Sequence, residues 1–132
     1  MRDKPCLTSA DTEKVITACK AEAHRNKWNV SIAVLDEGGF LLGFHRMDGA
    51  PPISAEVSIG KARTAAMTKR PSKFFEDRVK ERPAFANFPA GILIQGGLPI
   101  MHNGECVGAI GVSGVQSHED EQVAQAGVSA IG

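Results

Sequence analysis

Val15, Ile16, Cys19 and Ala23 recur at helical spacing, with Glu13, Lys14, Lys20 and Glu22 on the other faces. That pattern predicts a helix from about Ser9 to Lys27, opened by Thr8 and Asp11 as a capping box. Val30–Leu35 then reads as a β-rich run, Asp36-Glu37-Gly38-Gly39 as a turn and Phe40–Arg46 as the returning strand. Gly49-Ala50-Pro51-Pro52 breaks the chain before a second helix, about Ser54 to Thr68, lined by Val57, Ala62, Ala65 and Ala66. Pro71 ends it, and Ser72 is expected to cap a short helix over Lys73 to Lys80. Residues 81–91 read as a loop. Strands are expected over Ile92–Gln95, Leu98–His102 and Glu105–Ser113, the last two joined at Asn103-Gly104, both of which tolerate positive φ. Ser117 with Asp120 repeats the capping signature before a terminal helix carrying Val123, Ala124, Gly127, Val128 and Ile131.

The expected architecture is a single α/β (α+β) domain spanning residues 1–132. A five-stranded, mostly antiparallel sheet has helices covering its faces. At this length folding buries roughly two-thirds of the unfolded surface, enough for a core without staples. Composition narrows the function classes. Apolar residues make up 42% and charged residues 23%, which argues against disorder. Fifteen Lys+Arg balance fifteen Asp+Glu, which argues against sequence-independent nucleic-acid binding. No apolar run approaches a membrane span, and the N-terminal residues have no apolar signal core, so a cytoplasmic protein is expected. Three widely spaced cysteines, Cys6, Cys19 and Cys106, form no metal ladder and read as reduced thiols. The neutral total hides opposed segments. Residues 61–82 hold eight basic and three acidic groups, whereas residues 83–132 hold four acidic groups and no basic ones. That asymmetry suits either an anionic ligand group or complementary contacts between subunits.

Several residues are candidates for chemistry, each with a structural alternative. Arg46 and Asp48, where a strand hands over to a helix, either fix a ligand carboxylate or pin their own turn. Lys61, within a helix of small residues, either reaches a concave site or is a solvated surface cation. His24, near the end of the first helix, is an axial-ligand candidate or a cation favoured by the helix C-terminus. The four histidines share no chelating spacing. In Gly108-Ala109-Ile110-Gly111-Val112-Ser113-Gly114 the small positions let a helix or a flat ligand approach the strand, so Gly111 and Ser113 are candidates for a binding wall.

Five ordered blocks carry a resemblance over most of the chain: Asp36-Glu37-Gly38-Gly39, Phe44-His45-Arg46-Met47-Asp48-Gly49-Ala50, Lys61-Ala62-Arg63-Thr64-Ala65-Ala66, Gly96-Gly97-Leu98-Pro99-Ile100 and Gly108 to Gly114. Together they resemble the HbpS/GlcG-like family, which includes the C-terminal domain of PduO-type proteins. The resemblance implies a profilin-like sandwich with a five-stranded antiparallel sheet. It also implies homo-oligomers, dimers or octamers, expected here to use apolar faces of the terminal helices. Haem or a related tetrapyrrole is the implied ligand, with His24 matching the family's axial histidine. Arg46, Asp48 and Lys61 would then line a polar site, with Gly111 and Ser113 as its backbone wall. Two other readings stand beside it: a catabolic enzyme or accessory subunit acting on a small carboxylate or aldehyde, and an assembly module without a small ligand.

Overall fold

Thr8 opens the first helix as expected: its hydroxyl accepts the Asp11 N–H at 3.1 Å, and the Asp11 carboxylate accepts the Thr8 N–H at 2.9 Å. Such a cap contributes about 1 kcal/mol. The computed structural model describes residues 1–89 and 91–131. Its elements are α1 (Ser9–Arg25), β1 (Ser31–Asp36), β2 (Leu41–Arg46), α2 (Ile53–Thr68), α3 (Ser72–Glu81), a 3₁₀ helix (Pro83–Asn87), β3 (Gly97–His102), β4 (Glu105–Ser113) and α4 (Ser117–Ser129). The sheet runs β2-β1-β4-β3 with every neighbouring pair antiparallel. Both anticipated hairpin turns form. Asp36 accepts the N–H groups of Gly38 and Phe40, and Asn103 and Gly104 both adopt positive φ.

The helix α1 stops two residues earlier than its apolar period suggests. Lys27 takes a left-handed φ of 60°, its N–H reaches the His24 carbonyl at 3.1 Å, and the Trp28 N–H reaches Ala23 at 2.9 Å. That pair of bonds is a Schellman closure, which satisfies the last carbonyls and turns Trp28 back onto the core.

The two faces of the sheet are packed differently. One carries Ile32, Val34, Ile110 and Val112 against Val15, Cys19 and Ala23 of α1 and Val123 and Ala124 of α4. The other carries Ala33, Leu35 and Ala109 against Ala62, Ala65 and Ala66 of α2. The apolar faces of the terminal helices are therefore spent inside the domain, against the expectation that they serve contacts between subunits. The large apolar side chains left exposed include Phe40, Leu41 and Leu42 on the edge hairpin and Ile53 and Met67 on α2.

Three further expectations are corrected. The sheet has four strands among the described residues, not five, because Ile92–Gln95 does not pair. Its polar backbone groups go to helices instead. The Ile92 N–H donates to the Gly60 carbonyl, Thr64 Oγ1 donates to the Ile92 carbonyl and Ser72 Oγ donates to the Ile94 carbonyl. Ser72 consequently does not cap α3; its hydroxyl is buried and also accepts the Gly97 N–H at 2.8 Å. At α4, Gln116 rather than Ser117 is the capping position, with Glu119 accepting the Gln116 N–H at 3.1 Å. Asp120 is released from the cap and turns inward.

Candidate functional site

The Schellman closure fixes the last turn of α1, and with it Lys20 and His24, which lie one turn apart on the same helix face. Across from them the chain leaves β2 at Arg46. The Met47 N–H still pairs with the Val30 carbonyl, the Ala50 N–H returns to Met47, and Arg46 Nε donates to the Ala50 carbonyl at 3.3 Å. Gly49 holds a φ of 84°, and a Cβ there would stand 2.9 Å from Asn29 Nδ2, so this turn is seated tightly on Asn29. Arg46, not Asp48, pins the turn; among the described residues the Asp48 carboxylate accepts no hydrogen bond.

Between these elements lies a groove of about 340 Å³, lined by Lys20, His24, Asn29, His45, Arg46, Met47 and Asp48. His24, Arg46 and Asp48 are exposed, and Met47 is buried in its floor. The groove offers two imidazoles, two cations, one carboxylate and a thioether. Among the described residues neither histidine ring is engaged in a hydrogen bond within the groove, so an imidazole nitrogen is available to a ligand. No three His, Cys, Asp or Glu side chains of the described residues cluster closely enough to chelate a metal ion. A metal held here would need a carrier supplying its other ligands.

The remaining candidates lie elsewhere, beneath α2. Lys61 is 2% exposed; its Nζ donates to the Val112 carbonyl at 3.0 Å and to Asp120 Oδ2 at 2.9 Å. Asp120 Oδ1 accepts the Val115 N–H at 3.1 Å. Loss of hydration raises the Asp120 pKa above the usual carboxylate value, outweighing the lowering by Lys61 and the Val115 bond. The pair ties α2, the end of β4 and the start of α4 together. Gly111 sits under the same helix: a Cβ there would lie 1.9 Å from the Ser58 carbonyl oxygen and 2.6 Å from the Ala62 nitrogen. The helix itself therefore occupies the wall that Gly111 forms. Ser113 is half-buried and pairs with Ser31, whose hydroxyl meets that of Ser54 at 2.8 Å. Thus the structure brings His24, Arg46 and Asp48 together and places Lys61, Gly111 and Ser113 apart from them.

Sequence reasoning missed four residues. Asp120 reads as a capping carboxylate because of its offset from Ser117, and nothing local reveals Lys61. Lys20, Asn29 and His45 join the groove from three positions; only the Lys20–His24 spacing, one helical turn, carries a usable signal. Of the cysteines, Cys19 and Cys106 are buried. Desolvation pushes the Cys19 thiol up to about 12, so it stays protonated at neutral pH.

The sequence profile described as "Haem degrading protein HbpS-like" matches residues 7–129. The chain belongs to the HbpS-like family. This HbpS-like chain is 43% identical over 114 residues to Protein GlcG of Escherichia coli, covering 86% of the chain and 85% of GlcG. A crystal structure of a double mutant of Streptomyces reticuli HbpS superposes with a TM-score of 0.93 at 32% identity, covering 100% of this chain and 91% of that one. The PduOC:heme complex shares the fold, with a TM-score of 0.89 at 23% identity over 96% of this chain and 95% of that one. No helix among the described residues is long and apolar enough to cross a membrane.

Proposed function

We propose that this chain binds haem or a related tetrapyrrole in the groove between the end of α1 and the end of β2. The observation that carries the reading is the convergence of the exposed His24 with Lys20 and Arg46 in that one groove. Haem would supply an iron that an imidazole can hold, and carboxylates that take cations. His24 would provide the imidazole; Lys20 and Arg46 would hold the carboxylates. Among the described residues Arg46 gives only its Nε to a partner, the Ala50 carbonyl, which leaves guanidinium nitrogens for a ligand. Asp48 would orient those cations. Lys61, Gly111 and Ser113 would act from beneath α2, bracing the sheet behind the site rather than touching the ligand. The description of the family as haem-degrading supports the same ligand class.

The proposal includes a homo-oligomer. Met47, the apolar residue among those lining the groove, is buried, whereas a macrocycle has two apolar faces. The exposed Leu41 and Leu42 on the unpaired edge of β2, with Ile53 exposed at the start of α2, are suited to a second copy. Titration of the purified protein with hemin tests the ligand. A Soret shift that His24→Ala weakens is expected, with Arg46→Ala lowering affinity at least severalfold. An unchanged spectrum on titration overturns the reading. Native mass of the same sample checks the assembly, a monomer being the contrary result.

A further inference from the structure

Helix α2 turns its alanines towards the sheet, so its opposite side faces outward. On that side Ile53, Glu56, Gly60, Arg63 and Met67 follow one another at spacings of three and four, which sets them in one row along the helix. All but Gly60 are exposed, Ile53 to 65% and Met67 to 56%.

Two features separate this row from an ordinary solvated face. The ion pairs of α2 and α3 engage Lys61, Lys73 and Arg78, and leave Glu56 and Arg63 without one among the described residues. Seven positions apart, those two miss the spacings at which side chains of one helix pair. The row is also self-complementary about its middle, running apolar, acidic, glycine, basic, apolar. Ile53 and Met67 lie equally far from Gly60, with Glu56 on one side of it and Arg63 on the other. An antiparallel copy of the same helix therefore sets Glu56 against Arg63 twice, and Ile53 against Met67 twice. A two-fold contact requires that property, because residue i meets j wherever j meets i. A parallel copy would set like against like, which charge repulsion opposes.

The surface between the two charges suits the same contact. A hollow of about 300 Å³ lies there, lined by Glu56, Ile59, Gly60, Arg63 and Ile92, among others. It leaves room for the guanidinium that a second copy directs at Glu56. The exposed Ile53 and Met67 then cover the ends of the ion pairs and shield them from water.

We propose that the outer face of α2 is a two-fold interface between copies of this chain, with Glu56 of each copy paired to Arg63 of the other. This interface rests on the homo-oligomer reading above and gives it a surface.

Sedimentation equilibrium of charge-reversed variants tests the pairing. Glu56→Arg and Arg63→Glu each bring like charges together twice. Each should weaken association by about tenfold or more and lower the mass to half that of the natural protein or less, with the far-UV spectrum unchanged. An equimolar mixture of the two variants should regain the natural mass, because every contact across the axis then joins opposite charges. The double variant, Glu56→Arg with Arg63→Glu, should regain it alone. A natural protein that is monomeric overturns both the interface and the homo-oligomer reading. An oligomer whose mass survives either single reversal, or a mixture and a double variant that stay dissociated, overturns the interface alone.

Discussion

The two faces of the sheet solve the same packing problem by opposite means. Towards α1 and α4, branched side chains such as Ile32, Val34, Ile110 and Val112 fill the space between layers. Towards α2, the strands present Ala33, Ala109 and Gly111, and the helix backbone comes down onto the sheet. The first face is held by apolar volume. The second is held by close approach and by buried polar groups, Ser31 with Ser54 and Lys61 with Asp120. The difference teaches that an exposed-looking lysine in a small-residue helix can be the most buried cation of a domain, because small neighbours let it sink.

Mutations can break this contrast, beginning with the largest effect. Asp120→Ala leaves the Lys61 ammonium buried without its partner and should cost about 4 kcal/mol, read as a lowered urea midpoint. A loss below about 1 kcal/mol would mean that the pair is dispensable. Next come two substitutions of opposite kind and similar size. Ile110→Ala empties volume on the α1/α4 face and should cost about 3 kcal/mol. Gly111→Ala adds a single methyl on the α2 face and should cost about 3 kcal/mol, because that methyl meets helix backbone that cannot step aside. If Gly111→Ala is neutral while Ile110→Ala is not, the claim that backbone proximity governs the second face fails.

The third comparison is a slope with pH. Burial raises the folded-state pKa of Asp120 above its ordinary 3.8, so the folded protein takes up that proton more readily than the unfolded chain. The stability of the natural protein relative to Asp120→Asn should therefore rise as pH falls from above the raised folded pKa towards 3.8. Parallel urea melts of the two proteins over that window check the sign; a relative fall on acidification would mean that Lys61 dominates over desolvation. The smallest effect belongs to the periphery: Thr8→Ala removes the α1 cap and should cost about 1 kcal/mol in the same melts.

Elements with a local cause were legible in the sequence. The Thr8–Asp11 cap, the Asp36 and Asn103-Gly104 turns and the apolar stripe of α1 each depend on residues within a few positions of one another. What escaped depends on partners far along the chain. Ile92–Gln95 has strand composition, yet Gly60, Thr64 and Ser72 take its hydrogen bonds first. Asp120 has capping spacing, yet Lys61 lies 59 positions away and claims it. The candidate site was legible in the same measure. Arg46 and Asp48 are neighbours in sequence and share the groove, and His24 joins them through the resemblance. The grouping of Lys61, Gly111 and Ser113 with them required knowing which face of the sheet each occupies.

The bond between Lys61 and Asp120 also bears on how the chain is made. Synthesis delivers α2 and its lysine roughly sixty residues before the carboxylate that neutralises it, and β4, which pairs with both β1 and β3, arrives only shortly before. An emerging chain stopped short of β4 has the β1–β2 hairpin, β3 and three α-helices but lacks the inner strand that joins β1 to β3. Folding of this domain therefore waits for its last quarter, and nascent chains ending before residue 120 should remain protease-sensitive however long they are held on the ribosome.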